Sequence, residues 1–318
     1  MKTVLVTIPA QERHKKKLEA AGAGCRFVYV KENEITAEDL AQADVVIGTV
    51  PAERIQASKR LALLQLSSAG ADPYIQPGIL AKNTVLCNST GAYGKAVSEH
   101  ALALTLMLQK KLHRYRDAQR KSAWVDEGTV SSMADATVLV VGLGDIGLRY
   151  ARMAKALGAY TIGLKRRPGA CPEGVDELHL TEELDTLLER ADVVASFLPG
   201  TKDIRYLYTE ERFDRMKKSA IFINCGRGNA VNPEVLYRVL SEKRIAAAGI
   251  DVTEPEPLPE GSPLWALEDL VITPHVSGYY HLPETFEQVV NIACENLRAW
   301  LSGGELRNVV DFSTGYKR

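Results

Sequence analysis

The sequence predicts an α/β protein with two doubly wound parallel sheets, and three observations support this fold class. Short β-branched runs alternate with helical patterns from the start of the chain, as in KTVLVTI followed by ERHKKKLEAA. A long apolar helix interrupts this series, which then begins again at ATVLVVG. The 318 residues are also too many for one compact core and suit two domains. Strands and helices that alternate in this way are typical of parallel sheets with helices on both faces.

The first series of elements predicts one parallel sheet followed by a buried helix. Its expected strands are KTVLVTI, CRFVYV, DVVIGTV, LALLQLSS and NTVLCNS. The segment VSEHALALTLMLQKKLHRYRDAQRK then predicts a single long helix, whose first half is apolar almost all round. Such a helix must be buried, either between domains or between subunits.

The second series predicts another parallel sheet and a helix that closes the chain. Its expected strands are ATVLVVG, TIGLKR, DVVASFLP, SAIFINC, RIAAAGIDV and LVITPH. Asn232 followed by Pro233 marks a helix start, and Gly303 marks the end of the last helix, ETFEQVVNIACENLRAWLS. We expect residues 1–96 and 285–318 to form one domain and residues 97–284 to form the second, inserted domain.

Composition excludes several classes of function. With 39 basic and 40 acidic residues the formal charge is -1, so no global field attracts nucleic acid or an acidic membrane. The five cysteines are scattered and never in CxxC spacing, which argues against a disulfide framework and against a metal site. The N-terminus becomes charged too early for a signal peptide, and no window reaches ~18 uninterrupted apolar residues. We therefore expect a soluble, cytoplasmic protein.

The strongest local motif is the glycine loop GLGDIG. Gly142, Gly144 and Gly147 have G-x-G-x-x-G spacing between a β run and an amphipathic helix, with Asp145 and Ile146 inside the loop. In this setting the first glycine allows a tight turn, the second lets a pyrophosphate approach the backbone, and the third lets the helix pack on the strand. The motif predicts dinucleotide binding; the alternative is a turn with structural duties only.

Three cations stand where a dinucleotide fold usually has an acid. About 20 residues after the loop, at the end of the second strand, an Asp or Glu would bind the ribose hydroxyls. This chain has Lys165, Arg166 and Arg167 there. Cations complement a 2′-phosphate through charge-assisted hydrogen bonds, so the preferred cofactor is predicted to be NADPH. NAD remains the alternative cofactor. In the simplest interpretation, the three cations are only charge on a surface loop.

The later strands deliver functional side chains to one edge of the second sheet. They end at Pro199, at Cys225 followed by Gly226 and Arg227, at Asp251, and at His275. Ligands of doubly wound sheets bind outside these carboxyl ends. His275 can act as an acid or base there, and Glu256 lies nearby in a stiff Pro-rich stretch. Each of these residues also has a plainer interpretation: His275 as a structural histidine, Glu256 as a solvated acid and Arg227 as a surface charge.

These motifs together resemble one enzyme family across nearly the whole chain. SSAGADPY, SEHALALTLML, GLGDIG, FLPGT, INCGRG, DVTEPEPLP and TPHVSG occur in the order found in D-isomer-specific 2-hydroxyacid dehydrogenases. This family includes glyoxylate and hydroxypyruvate reductases and phosphoglycerate dehydrogenases. The resemblance implies a Rossmann dinucleotide domain inserted into a flavodoxin-like substrate domain, and a homodimer packed through the Rossmann domain.

The resemblance also implies roles for individual residues. His275 would act as acid and base with the help of Glu256, and Arg227 would bind the carboxylate of a small 2-oxo acid that is reduced to the D-2-hydroxy acid. The implied substrate-binding residues further include Ala69, Gly70, Ala71, Tyr93 and Tyr279, and Pro199, Cys225, Asp251, His275 and Gly278 would line the cofactor. For Tyr93 and Tyr279, the alternative to substrate binding is a role in packing. Two rival functions stay open: an NAD-dependent enzyme similar to phosphoglycerate dehydrogenase, and a nucleotide-sensing protein without enzymatic activity.

Overall fold

A computed structural model describes residues 1–56 and 58–312, which form two compact units. The first unit contains residues 1–93 and the segment from 282 onward, and the second contains residues 94–281. The boundaries expected from the sequence, at 96/97 and 284/285, lie within a few residues of these divisions. Within the described ranges no helix combines the length and the apolar character needed to cross a bilayer.

The first unit is built on a five-stranded parallel sheet with the order β2-β1-β3-β4-β5. This is the strand order of flavodoxin-like folds. The strands are β1 (Thr3–Val6), β2 (Arg26–Tyr29), β3 (Val45–Ile47), β4 (Leu63–Gln65) and β5 (Val85–Cys87), and the helices are α1 (Glu12–Ala21), α2 (Ala37–Gln42), α3 (Ala52–Ile55) and α10 (Pro283–Ser302).

The second unit is built on a seven-stranded parallel sheet with the order β12-β11-β10-β9-β6-β7-β8. The order reverses between β6 and β9, which is the switch point where doubly wound sheets bind ligands. The strands are β6 (Thr137–Val141), β7 (Tyr160–Lys165), β8 (Glu177–Leu180), β9 (Val193–Ser196), β10 (Ile221–Asn224), β11 (Ala247–Ile250) and β12 (Leu270–Ile272). The helices are α4 (Gly94–Gln109), α5 (Leu112–Arg120), α6 (Asp145–Ala156), α7 (Leu184–Leu188), α8 (Glu210–Arg215) and α9 (Pro233–Ser241).

The predicted fold class of two doubly wound parallel sheets is confirmed, and so are two helix ends. Asn232 caps α9 by accepting a hydrogen bond from the amide of Glu234 at 2.8 Å. Gly303 ends α10 in the left-handed conformation, with a φ of 71°. The buried face of α10 reaches β4, because the Asn296 amide donates to Gln65 Oε1 at 2.6 Å. The last helix is therefore part of the first unit's core.

Two elements differ from the sequence prediction. The predicted long helix is two helices, α4 and α5, because Lys111 between them adopts the left-handed conformation with a φ of 55°. Arg114 then fixes α5 through its ion pair with Asp269 at 2.6 Å, so tertiary contacts override the local helical pattern. The sequence analysis also missed β8. This edge strand has only four residues, ELHL, and its polar–apolar alternation is too short to be recognised as a strand.

Candidate active site

The glycine loop connects β6 to α6 at the switch point. Gly142 has a φ of +95°, which side-chain-bearing residues rarely adopt. A Cβ on Gly147 would lie 2.3 Å from the carbonyl oxygen of Gly142, so only glycine permits this close packing. A Cβ on Gly144 would meet nothing within 4 Å. The loop is thus closed on its inner side and open at Gly144, beside the first amides of α6, which lack partners within the helix.

An open glycine at a helix N-terminus fits the pyrophosphate of a dinucleotide. A side chain at Gly144 would fill the space that the pyrophosphate needs. Asp145 and Ile146 form the first turn of α6. The Asp145 carboxylate accepts a hydrogen bond from Arg149 Nε at 3.0 Å, so its charge is paired one turn along the helix.

Lys165 is the last residue of β7, and Arg166 and Arg167 follow it as exposed residues. The Lys165 ammonium lies over Gly169, where a Cβ would come within 2.6 Å of Nζ. In the described part of the chain no carboxylate forms an ion pair with Lys165 or Arg167. Two cations that no described acid neutralises at the end of the second strand are suited to binding an anion.

The far end of this cationic loop is fastened to the fold. Asp176 accepts hydrogen bonds from the amide of Thr161 at 2.9 Å and from Lys155 Nζ at 2.6 Å. From α6, Arg152 Nε donates to the Glu173 carbonyl oxygen at 3.1 Å. The cations therefore lie on a segment that is anchored at β7 before it and at Asp176 after it.

The three predicted catalytic residues are linked through one loop. Thr253 follows β11, and its amide donates to Glu256 Oε1 at 3.0 Å. Glu256 Oε2 is 2.8 Å from His275 Nδ1. On the other side, a Cβ on Gly228 would lie 1.8 Å from the Thr253 carbonyl oxygen, so the backbone next to Arg227 packs directly on the same residue. The structure thus brings the loops of Arg227, Glu256 and His275 together.

The pair formed by His275 and Glu256 has a defined hydrogen-bond direction. An ionised carboxylate can only accept hydrogen bonds, so the imidazole carries a proton on Nδ1. Among the described residues nothing bonds to Nε2, and the side chain is 46% exposed. Nε2 is consequently available to a ligand, as an acceptor when the ring is neutral and as a donor when it is charged.

His275 is held in an uncommon backbone conformation. Its φ is 53°, which costs a residue with a side chain of the order of 1–3 kcal/mol. Its amide donates to the carbonyl oxygens of Asp251 at 2.7 Å and of Thr273 at 3.0 Å. These bonds oppose the cost, so the position of His275 depends on the surrounding turn.

Asp251 organises that turn from within the sheet. The residue is buried, and its carboxylate accepts hydrogen bonds from the Thr273 hydroxyl at 2.6 Å and the Val276 amide at 3.0 Å. Its other oxygen accepts from the Ser277 amide at 3.1 Å and the Ser277 hydroxyl at 2.5 Å. The carboxylate predicted to line the cofactor thus makes hydrogen bonds to the protein itself in this structure.

The other predicted cofactor residues lie at strand ends of the second unit. Pro199 and Gly278 are half-buried in the loops after β9 and β12. Cys225 directly follows β10 and is buried. Burial, and next the charge of Asp251, raise the pKa of its thiol well above the usual range. Cys225 is therefore a neutral packing group and not a nucleophile.

The substrate-binding residues expected in the first unit fall into two kinds. The amides of Ala69, Gly70 and Ala71 donate no hydrogen bond within the described residues, so three adjacent donors are available to an anion. Tyr93 instead donates its hydroxyl to the Ser67 carbonyl oxygen at 2.5 Å, which makes it part of that unit's packing.

Two further expected binding groups belong to the second unit. Arg227 is half-buried and donates through Nη1 to the Gly226 carbonyl oxygen at 2.9 Å. Tyr279 is 55% exposed, and its ring lies 5.6 Å from that of His281. Tyr279 is thus accessible, whereas the guanidinium of Arg227 is directed by its own backbone.

Sequence reasoning missed three groups of this site. Thr253 orients Glu256, Ser277 completes the shell of Asp251, and His100 bonds to Thr273 at 2.9 Å. His100 lies in the apolar helix α4, where the sequence alone does not distinguish it from a packed histidine. The one available signal was the position of Thr273, which directly follows a strand, as several of the predicted site residues do.

A glycine loop at the switch point, with a histidine–carboxylate pair in the loops after β11 and β12, is typical of a dinucleotide-dependent oxidoreductase. Residues 102–277 match the model of the family "D-isomer specific 2-hydroxyacid dehydrogenase, NAD binding domain". The chain belongs to this family and is an NAD(P)-dependent 2-hydroxyacid dehydrogenase. The alternative without enzymatic activity is thereby set aside.

Individual relatives agree with this assignment. The chain is 30% identical to a glyoxylate reductase of Korarchaeum cryptofilum, with 85% of this chain and 82% of the relative covered. It is also 30% identical to the glyoxylate/hydroxypyruvate reductase B of Escherichia fergusonii, with 86% of each covered. A D-isomer specific 2-hydroxyacid dehydrogenase of Xanthobacter autotrophicus, solved with NADPH and MES, is similar with a TM-score of 0.83 and 28% identity over 99% of both chains.

The different surroundings of Gly144 and Gly147 predict different effects of adding one methyl group. Gly144→Ala should change the free energy of unfolding by less than about 1 kcal/mol, because its Cβ enters open space. It should weaken NADPH binding at least about 10-fold, because the methyl occupies the pyrophosphate position. Gly147→Ala should lower the melting temperature as well. Calorimetry and fluorescence titration measure the two effects, and unchanged NADPH affinity in Gly144→Ala would contradict the expectation.

Proposed function

We propose that the protein reduces a small 2-oxo acid to the D-2-hydroxy acid, with NADPH as its preferred cofactor and with a reversible reaction. The contact that carries this proposal joins His275 Nδ1 to Glu256 Oε2 at 2.8 Å and leaves Nε2 accessible. The D configuration is proposed from the stereospecificity in the family's description. The names of the two reductase relatives support glyoxylate and hydroxypyruvate as the first substrates to test.

Proton transfer would take place at His275 Nε2. Reduction of a carbonyl builds negative charge on its oxygen, and the imidazolium at Nε2 would donate a proton to that oxygen. Glu256 accepts from Nδ1, which fixes the ring orientation and leaves Nε2 as the atom that faces a ligand. In the reverse direction the neutral ring would accept the hydroxyl proton at the same atom. Thr253 supports this pair by donating its amide to the second oxygen of Glu256.

Two groups of donors support binding of a substrate carboxylate. Arg227 carries five N–H donors, and its loop packs on Thr253 next to Glu256. A guanidinium there would bind the carboxylate and stabilise negative charge on the carbonyl oxygen. In the first unit, the three available amides of Ala69, Gly70 and Ala71 are suited to the same kind of anion. Tyr279 stays a proposed contact for the substrate side chain.

The residues of the second unit fit a nicotinamide dinucleotide. The open cradle at Gly144 and the first amides of α6 would hold its pyrophosphate. When bound, the cofactor supplies the hydride that reduces the carbonyl carbon. Pro199, Cys225, Asp251 and Gly278 lie in the strand-end loops that would line it.

The preference for NADPH is proposed from the charge at the end of β7. Lys165 and Arg166 complement a 2′-phosphate, whereas a carboxylate at this place would repel it. The NADPH bound in the Xanthobacter autotrophicus relative supports the same choice. The alternative is an NAD-dependent enzyme similar to phosphoglycerate dehydrogenase. Arg167 is the cation of the three that we expect to be merely solvated.

A homodimer formed through the second unit is also proposed. Trp124 is fully exposed, and it lies in a segment, 123–132, that forms neither helix nor strand. Val125, Val130 and Leu112 are exposed close to it along the chain. Exposed apolar side chains of this size are enriched in protein interfaces. The cytoplasmic location stays a prediction from the cysteine pattern.

The reaction is tested by following absorbance at 340 nm. We expect the purified protein to oxidise NADPH with glyoxylate or hydroxypyruvate in a panel of 2-oxo acids. His275→Ala should lower kcat by about 100- to 10,000-fold, because the proton donor is lost. Glu256→Gln should lower it by about 10- to 100-fold, because the ring loses its charged acceptor. NADPH affinity measured by fluorescence serves as the control and should stay unchanged; normal turnover of His275→Ala would refute the acid role.

Replacing the cations should separate the two cofactors. Lys165→Gln combined with Arg166→Gln should raise the KM for NADPH by about 10- to 100-fold, because charge-assisted bonds to the 2′-phosphate are lost. The KM for NADH should change less than about threefold. Arg167→Gln is the matched control and should leave both values near those of the parent. Equal changes for the two cofactors would show that these cations do not recognise the phosphate.

The proposed dimer interface predicts a sensitive position. Trp124→Glu should weaken dimerisation by at least about 30-fold, because a large apolar anchor is replaced by a charge that must be desolvated. Phe312→Glu changes an exposed aromatic residue of the first unit and should leave dimerisation intact. Sedimentation velocity over a concentration series measures both. A monomeric parent protein, or a Trp124→Glu dimer of parental affinity, would contradict the proposed interface.

A further inference from the structure

The Thr273 hydroxyl connects two side chains that do not meet directly. It lies 2.6 Å from Asp251 Oδ1 and 2.9 Å from His100 Nε2. A hydroxyl has one proton to donate and can also accept. Thr273 directly follows β12, whereas His100 lies on α4, so the contact joins a helix to the end of the sheet within the second unit.

The direction of these bonds follows from the surroundings of Asp251. The amides of Val276 and Ser277 can only donate, and they fix both carboxylate oxygens as acceptors. The Thr273 proton must then point to Asp251, and the Thr273 oxygen must accept from His100. His100 therefore carries a proton on Nε2 in this arrangement, whether the ring is neutral or charged.

The same Asp251 carboxylate holds the turn that carries His275 through hydrogen bonds. The side chain of Asp251 binds the amides of Val276 and Ser277, and its carbonyl oxygen accepts the amide of His275 at 2.7 Å. His275 itself keeps a φ of 53°. A small rotation of the Asp251 carboxylate would release amides on the far side of His275, so the orientation of this carboxylate matters for the imidazole.

His100 is well placed to fix that orientation. Its side chain is 25% exposed, and Nε2 is also 3.7 Å from Asp251 Oδ1. Among the described residues, no basic side chain other than His100 lies within ion-pair distance of this carboxylate. A buried carboxylate that accepts from several donors keeps a single orientation, whereas one that loses a donor can adopt other orientations.

We propose that His100 is a positioning residue for the proposed reaction: by donating to Thr273 it directs the Thr273 hydroxyl to Asp251, and so holds the turn that presents His275. This rests on the proposed role of His275 as acid and base. His100 touches neither of the two members of the proposed proton-transfer pair in this structure and acts only through the hydrogen bonds of Thr273 and Asp251.

Four variants test this chain of hydrogen bonds with matched controls. His100→Leu removes the donor at similar size, and His100→Gln keeps an N–H donor near the position of Nε2. Thr273→Val removes the hydroxyl at similar shape, and Thr273→Ser keeps it. If positioning depends on the bonds, the first and third variants should be impaired and the second and fourth should be close to the parent.

The turn itself is tested without any reaction, by hydrogen exchange and mass spectrometry on the protein without cofactor. The peptide containing Val276 and Ser277 should exchange about 10-fold faster in His100→Leu and Thr273→Val, because loss of one bond to a charged group frees the local turn. His100→Gln and Thr273→Ser should stay within about twofold of the parent. Unchanged exchange in the Leu and Val variants, or faster exchange in all peptides alike, would overturn the proposal.

Turnover provides the second measurement, with NADPH and whichever 2-oxo acid the panel identifies. Per cofactor-binding site, kcat should fall about 10- to 100-fold in His100→Leu and Thr273→Val and recover in the Gln and Ser variants. NADPH affinity is measured by fluorescence so that kcat is compared at saturating cofactor, and the double variant should be no slower than the slower single variant. Parental kcat, or equal loss in His100→Leu and His100→Gln, would overturn the positioning role.

The two proposals fail in different ways. If His275→Ala keeps normal turnover, the acid role of His275 is refuted, and the positioning proposal falls with it whatever the exchange shows. If His275→Ala is inactive but His100→Leu retains parental turnover, only the positioning role is refuted.

Discussion

A carboxylate buried at the end of a sheet is stable only if its oxygens are hydrogen-bonded, and the candidate active site depends on how Asp251 meets this requirement. Two amides and two hydroxyls satisfy it, and all of them belong to the stretch that carries His275. The burial of one charge therefore shapes the backbone around the proposed acid. The same constraint explains why His275 tolerates a left-handed conformation that is unfavourable for its residue type.

The charges of the candidate site are local and do not reflect the chain as a whole. The net charge is -1, yet Lys165 and Arg167 form no ion pair with any described residue. The glycine loop adds oriented amides at the start of α6, while Asp145 is paired with Arg149 on the same helix. Anion recognition here depends on the positions of a few cations and amides. Overall composition and net charge therefore do not predict it.

The parts of the fold and of the site that the sequence predicted are those encoded in a short stretch of chain. The glycine loop, the Asn232 cap and the strand that precedes His275 each have their signal within a few residues. The ion pair of Arg114 that holds α5 and the hydrogen bond of His100 depend on partners far along the chain, Asp269 and Thr273. Periodicity reports which face of α4 is apolar, but it cannot show that one polar group on that helix reaches a particular hydroxyl.

The place of α10 in the first unit has a consequence for how the polypeptide acquires its structure during synthesis. The helix supplies Val289, Val290 and Leu297 to that unit's core, and Asn296 binds Gln65 of β4. The second unit is a single uninterrupted segment and can fold as soon as it has left the ribosome. The strands of the first unit, β1 to β5, leave the ribosome before the second unit does, but they lack α10 until that unit has been synthesised. Residues 1–93 are therefore made before the second unit but gain their complete core after it, and until then they are exposed to chaperones.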